Sequence, residues 1–169
     1  MSSGKHRLGA WAAVGLLAAG LTAHGALASW QREHAVMINS SESLPNWAFF
    51  VEKNASPKRG DYVFFMPPRT PLLVRHFGEH HGAFGKRVLG MPGDLVTHDG
   101  ALVKVDGRVV ARMKSATRKG EALRPGPTGA VPQGCYYVGT DHKDGFDSRY
   151  AEIGFVCRRQ LLGTGTPIL

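Results

Sequence analysis

The sequence predicts a mainly β protein, with one compact β body behind a single membrane-spanning helix. Three observations lead there. Leu8 to Trp30 is a 23-residue run without Asp, Glu, Lys or Arg. The residues that follow hold no amphipathic helix of useful length, but many short runs of Val, Ile, Leu, Phe and Tyr. The whole chain also carries 22 Gly and 10 Pro, a turn content too high for a helical bundle.

The N-terminal run comes first. A helix of that length spans roughly 35 Å at about 1.5 Å per residue, enough for a bilayer. Lys5 and Arg7 precede it, so residues 1–7 are expected to be a cytoplasmic tail, residues 8–30 a transmembrane anchor, and residues 31–169 a periplasmic domain at a bacterial inner membrane. A rival reading is open: Ala26-Leu27-Ala28 is a small-x-small site at which a signal peptidase cuts.

The body is next. Apolar residues make up 43% of the chain and charged residues 20%, which excludes wholesale disorder. Strands are predicted near Val36–Ile38, Ala48–Val51, Tyr62–Met66, Arg87–Leu89, Leu95–Thr97, Leu102–Val105, Val109–Met113, Tyr136–Gly139 and Phe155–Cys157. Asp99-Gly100 and Asp106-Gly107 are hairpin turn signals. Residues 69–85 and 115–131 read as loops. Lys and Arg number 21 against 13 Asp and Glu, a net charge of +8. Such a balance suits anionic lipid, an acidic partner or nucleic acid. The aromatic and basic interleaving of nucleic-acid readout is missing, so membrane lipid is expected and nucleic acid is not.

Three stretches carry potential chemistry. Asn39-Ser40-Ser41-Glu42-Ser43-Leu44-Pro45 is an exposed loop with three hydroxyls, because Pro45 holds Leu44 extended. It reads either as a polar turn or as the seat of a nucleophile, which needs a base within reach. Lys86 heads a β-like run that ends in Pro92-Gly93-Asp94. A lysine turned inward is desolvated, its pKa falls, and the neutral amine can accept a serine proton. Asp147-Ser148-Arg149 follows a turn-rich segment and by itself is a surface pair of little worth.

In this order the stretches resemble the boxes of the S26 family, the membrane-bound serine peptidases known as type I signal peptidases. Ser41 to Pro45 is similar to the nucleophile box, Gly60-Asp61-Tyr62-Val63-Phe64-Phe65 to the Gly-Asp-x-Val-x-Phe box, Lys86 to Asp94 to the base box, and Asp147-Ser148-Arg149 to the Asp-Ser-Arg box. The resemblance implies a coiled β half-barrel, a Ser43 nucleophile and a Lys86 general base, the two within hydrogen-bond reach. It implies oxyanion donors from the Ser43 N–H and the Ser41 hydroxyl, and bracing by Asp147, Ser148 and Arg149. Precursor proteins with Ala-x-Ala-like sites are the implied substrates. No cofactor or metal is implied.

Two departures refine this. Pro45 stands two residues after Ser43, in a Ser-x-Ser-x-Pro pattern that resembles the TraF branch, peptidases that mature a conjugative pilin and in some systems join its ends. General signal peptidases place a serine two residues before the Asp of Asp-Ser-Arg, where it hydrogen-bonds the lysine; here that position is Gly145. Ser148 or a backbone carbonyl is the candidate replacement. A general signal peptidase and a silent scaffold of a secretion complex are the alternatives. His76, His80 and His81 are expected in a solvated loop, and the basic residues from Arg112 to Arg124 in another. Cys135 and Cys157 can pair in an oxidising compartment only if their strands are neighbours.

Overall fold

The computed structural model describes the backbone of residues 3–168, with side chains from Trp11 onward. The chain divides into two compact units, Met1–Ala35 and Val36–Leu169.

The first unit is α1 (Ser3–Glu33), of which Trp11–Glu33 is long and apolar enough to cross a membrane. Its apolar side chains, among them Trp11, Leu16, Leu17 and Leu21, are exposed. The one hydroxyl in mid-helix is satisfied within it, since Thr22 Oγ1 donates to the carbonyls of Ala18 and Ala19.

The second unit is mainly β, with a curled, open half-barrel as its larger sheet. In chain order it contains β1 (His34–Ile38), β2 (Ala48–Glu52), β3 (Tyr62–Phe65), α2 (Pro71–Phe77), β4 (Phe84–Gly90), β5 (Leu95–Asp99), β6 (Leu102–Val105), β7 (Arg108–Arg112), β8 (Gly129–Ala130), β9 (Cys135–Gly139), β10 (Val156–Cys157), a single 3₁₀ turn and β11 (Leu161–Pro167). Seven strands form the half-barrel in the order β1-β2-β11-β3-β4-β9-β10; the other four form a small sheet, β7-β6-β5-β8. The Asp106-Gly107 turn closes β6 onto β7 with φ of 48° and 78°, the doubly positive pair that matches strand twist.

Strand β9 joins the two cores. All five of its residues are buried. By the period-two alternation of a strand, Tyr136 and Val138 enter the half-barrel core with Val63, Val88 and Val156, while Cys135 and Tyr137 enter the second core with Val96, Val103 and Val105. Cys135 lies directly opposite Cys157 on β10, and the two are disulfide-bonded.

Three elements differ from the sequence reading, the smallest being the two-residue strand β8 inside the 115–131 loop. Residues 69–85 are not all loop, for Pro71–Phe77 is a helix. Thr70 caps it by accepting from the Leu73 N–H, Pro71 opens it, and Leu72 and Leu73 bury its inner face. Strand β11 was not expected at all, yet it is central, paired to both β2 and β3. Its glycines hid it. A Cβ on Gly165 would lie 2.6 Å from the Phe64 ring, and one on Gly163 2.5 Å from the Glu52 carbonyl. Glycine is required there by close packing, and it removes the alternating side chains by which a strand is read.

Candidate active site

The Ser-rich loop is built around a residue the sequence reading passed over. Asn39 donates through Nδ2 to the carbonyls of Leu44 (3.1 Å) and Asn46 (3.0 Å), and its Oδ1 accepts from the Ser41 N–H (3.1 Å) and Ser41 Oγ (2.9 Å). One side chain thus folds residues 39–46 into a tight turn. With the Ser41 proton committed to Asn39, the 2.7 Å contact between Ser41 Oγ and Ser43 Oγ is donated by Ser43. Leu44 drives the loop inward. It is 5% exposed, and its Cδ1 would stand 2.9 Å from a Cβ on Gly85. Gly85, the residue before Lys86, therefore seats the residue after Ser43. That link between the two motifs is written in two apolar positions with no chemical signature of their own.

Lys86 is in the middle of β4, opposite Val63 of β3. Period two places it in one row with Phe84 and Val88, and it is 5% exposed. Its Nζ lies over the Phe84 ring, 5.7 Å from the centroid. Burial pulls the amine below the ordinary lysine pKa; Asp147 opposes this with its charge and Arg149 adds to it. The neighbouring Arg87 faces the other way, stacked on Tyr62 and bonded to the Gly60 carbonyl. Ser43 and Lys86 line the same cleft, of about 960 Å³. The expected hydrogen bond between them is not made: Ser43 pairs with Ser41, and the Lys86 amine has no hydrogen-bond or ion-pair partner among the described residues. Catalytic contacts are often longer without substrate and tighten when it binds.

The third motif is not a surface pair, and its environment reverses the weak value assigned to it from sequence. Asp147 is 1% exposed and Arg149 2%. Arg149 Nε and Nη2 grip the two carboxylate oxygens at 2.8 and 2.9 Å, and Nη2 also donates to the Thr140 carbonyl at 2.8 Å. The Thr140 N–H returns a bond to Asp147 Oδ2 at 3.2 Å. The Arg149 pKa is held up: burial lowers it, but the charge and hydrogen bonds of Asp147 more than compensate. Ser148, fully buried, accepts from the Val138 N–H at 2.9 Å and so locks this segment to β9.

Residues 114–123 form a further wall of the cleft. Lys114 and Arg118 pair with Asp144, and Arg75 and His76 pair with Glu121. The basic segment is therefore tied down by ion pairs rather than free in solvent. The histidines divide: His76 is on α2 against Glu121, His80 is exposed, and His81 is buried beside Phe84 instead of solvated. Among the described residues no three His, Cys, Asp or Glu come together as a metal site.

Residues 8–169 match the family described as signal peptidase, peptidase S26. The conjugal transfer protein TraF of Agrobacterium fabrum is 32% identical over 168 residues, 92% of this chain and 90% of that protein. A probable signal peptidase I-2 of Synechocystis is 37% identical over 63% of this chain, and signal peptidase I of Leptolyngbya laminosa is 28% identical over 75%. The chain spans only 45% and 63% of the length of those two. The crystal structure of a signal peptidase I from Enterococcus faecalis, 25% identical, aligns with 66% of this chain and 98% of that one at a TM-score of 0.42. A family match that begins at residue 8 and runs to the C-terminus, together with a relative similar along nearly its whole length, makes this chain a member of the signal peptidase family S26, and hence a serine endopeptidase.

Proposed function

We propose that Ser43 is the nucleophile and Lys86 the general base of this peptidase, and that it matures an exported pilin precursor at the outer face of a bacterial inner membrane. One observation carries the mechanism. A buried lysine with a depressed pKa lines the same cleft as a half-exposed serine. When substrate enters, Ser43 turns from Ser41 towards Lys86. The neutral amine takes the Ser43 proton as Oγ bonds to the scissile carbonyl carbon. The oxyanion receives the Ser43 N–H and the freed Ser41 hydroxyl, which Asn39 orients. Lys86 then returns its proton to the departing amine as the C–N bond breaks. Water, deprotonated by the same lysine, releases a linear product; an amine taking its place gives a new amide. Asp147 and Arg149 brace the floor of the site.

The pilin assignment is supported by the similarity to TraF along 90% of that protein. The likeness to proteins named signal peptidase I favours a second reading, removal of signal peptides from many exported proteins. The apolar run from residue 8 to 30 and the dozen or so residues between Trp30 and Ser43 support a membrane-held enzyme acting near the bilayer surface.

The test is a cleavage assay with full-length protein in lipid vesicles. It compares the pilin precursor of the same cell with an unrelated secretory precursor. Preference for the pilin supports the first reading, and equal cleavage supports the second. Activity must rise with pH through the depressed Lys86 pKa, and Lys86→Arg must be inactive because guanidinium keeps its proton. An active Lys86→Arg variant overturns the base assignment. Cysteine labelling at Arg118 from outside intact cells tests orientation.

A further inference from the structure

We propose that Thr140 is the residue that positions Lys86, its hydroxyl taking the place of the side chain that Gly145 lacks. This rests on the reading of Lys86 as the base. Thr140 Oγ1 is fully buried and has no hydrogen-bond partner, in a residue 2% exposed. An orphaned buried hydroxyl is costly and calls for a reason. Register supplies the first part of that reason. Strand β4 pairs with β9 through Arg87 opposite Gly139 and Val88 opposite Val138. The ladder ends there with β9, and extending it by one step places Lys86 opposite Thr140. Side chains directly opposite share a face, with Cβ atoms roughly 5 Å apart. Val88 and Val138 share the half-barrel core on that face, and by the same period Lys86 and Thr140 are the next positions in the row.

Gly145 supplies the second part. A Cβ built there would lie 2.5 Å from Thr140 Oγ1. The Thr140 hydroxyl thus occupies the volume that any side chain at 145 would need. Glycine at 145 and threonine at 140 are complementary: one gives up the space, the other fills it with an oxygen. The Thr140 backbone is fixed on both sides, its N–H bound to Asp147 and its carbonyl to Arg149. That rigidity is what a positioning group requires. Ser148, the alternative from sequence, is turned to the Val138 N–H.

Unpartnered in the resting structure, the Thr140 hydroxyl accepts one N–H of the Lys86 amine once substrate enters, which aims the nitrogen lone pair at Ser43. Asp147 and Arg149 are the charged groups that act on Lys86, and His76, His81 and His142 also line the cleft.

The experiment measures kcat and KM against pH for wild type, Thr140→Val, Thr140→Ser and Thr140→Cys in vesicles, with melting curves for each. Thr140→Val should lose about tenfold in kcat with KM unchanged, and the rising limb should move to lower pH because the ammonium has lost an acceptor. Thr140→Ser, which keeps the oxygen, should retain most of the rate and the wild-type limb. If Thr140→Val does not fold, Thr140→Cys carries the test: it fills the site but accepts poorly, and should fall well below Thr140→Ser. Thr140→Val, or in its place Thr140→Cys, with wild-type kcat and limb overturns the proposal. So does Thr140→Ser losing as much as its apolar counterpart. An active Lys86→Ala variant would instead remove the base reading beneath it.

Discussion

Two buried cations only a few residues of structure apart have opposite fates. Arg149, on the segment after β9, has a carboxylate gripped in two bonds, two backbone carbonyls and a raised pKa. Lys86, on β4, has an aromatic face, Val63 directly opposite it on β3 and a lowered pKa. Both are nearly inaccessible to water. Burial with every proton satisfied makes a cation into scaffold. Burial without a partner makes it a group that prefers to be neutral, which is what a base at moderate pH must be. Asp147 acts on both but bonds only one, because its two oxygens are spent on Arg149 and the Thr140 and Arg149 backbone N–H groups.

The widest break in this contrast removes the chemistry. Ser43→Ala and Lys86→Ala should each lower cleavage by at least about 10³-fold, and the double variant should be no worse than either single one, since the pair acts as a unit. Steady-state cleavage of an Ala-x-Ala precursor measures this. Removing the scaffold comes next. Asp147→Asn leaves Arg149 buried and unbalanced and should cost about 3–5 kcal/mol in urea unfolding. It should also shift the activity limb to lower pH, because Asp147 is the charge that raises the Lys86 pKa. Ser41→Ala should slow kcat by about 10²-fold with little change in KM, the loss of one oxyanion donor.

The smallest effect runs the other way. Lys86→Met should be inactive yet more stable at neutral pH, by about 1 kcal/mol, because an unpartnered buried amine is replaced by an apolar chain of similar length. The sign follows from protonation. The folded pKa lies below the unfolded value near 10.5, so between the two the unfolded chain holds a proton that the folded chain has released. Wild-type stability therefore rises with pH across that window. The slope should vanish in Lys86→Met. A variant that melts at or below the wild type would mean that Lys86 is paired after all.

The sequence by itself determined the apolar N-terminal run, the β class, both Asp-Gly hairpins and three residues of the cleft, Ser41, Ser43 and Lys86. Each is a local property: an uncharged run, period-two apolar residues, turn chemistry, or a hydroxyl and an amine in recognisable company. Only tertiary structure decided the rest. Strand β11 holds the sheet together at glycines, which carry no pattern, because what excludes a side chain at Gly163 and Gly165 is another strand's backbone and ring. Helix α2 is two turns long, too short for periodicity to speak. Cys135 and Cys157 became partners only when β10 paired with β9. Asn39, Gly85 and Thr140 matter through what they touch, and contact is set by how distant strands align. Burial decided the deepest point, for it turned Asp147 and Arg149 from a surface pair into scaffold and holds the Lys86 amine below its ordinary pKa, and no window of sequence contains the neighbours that exclude water.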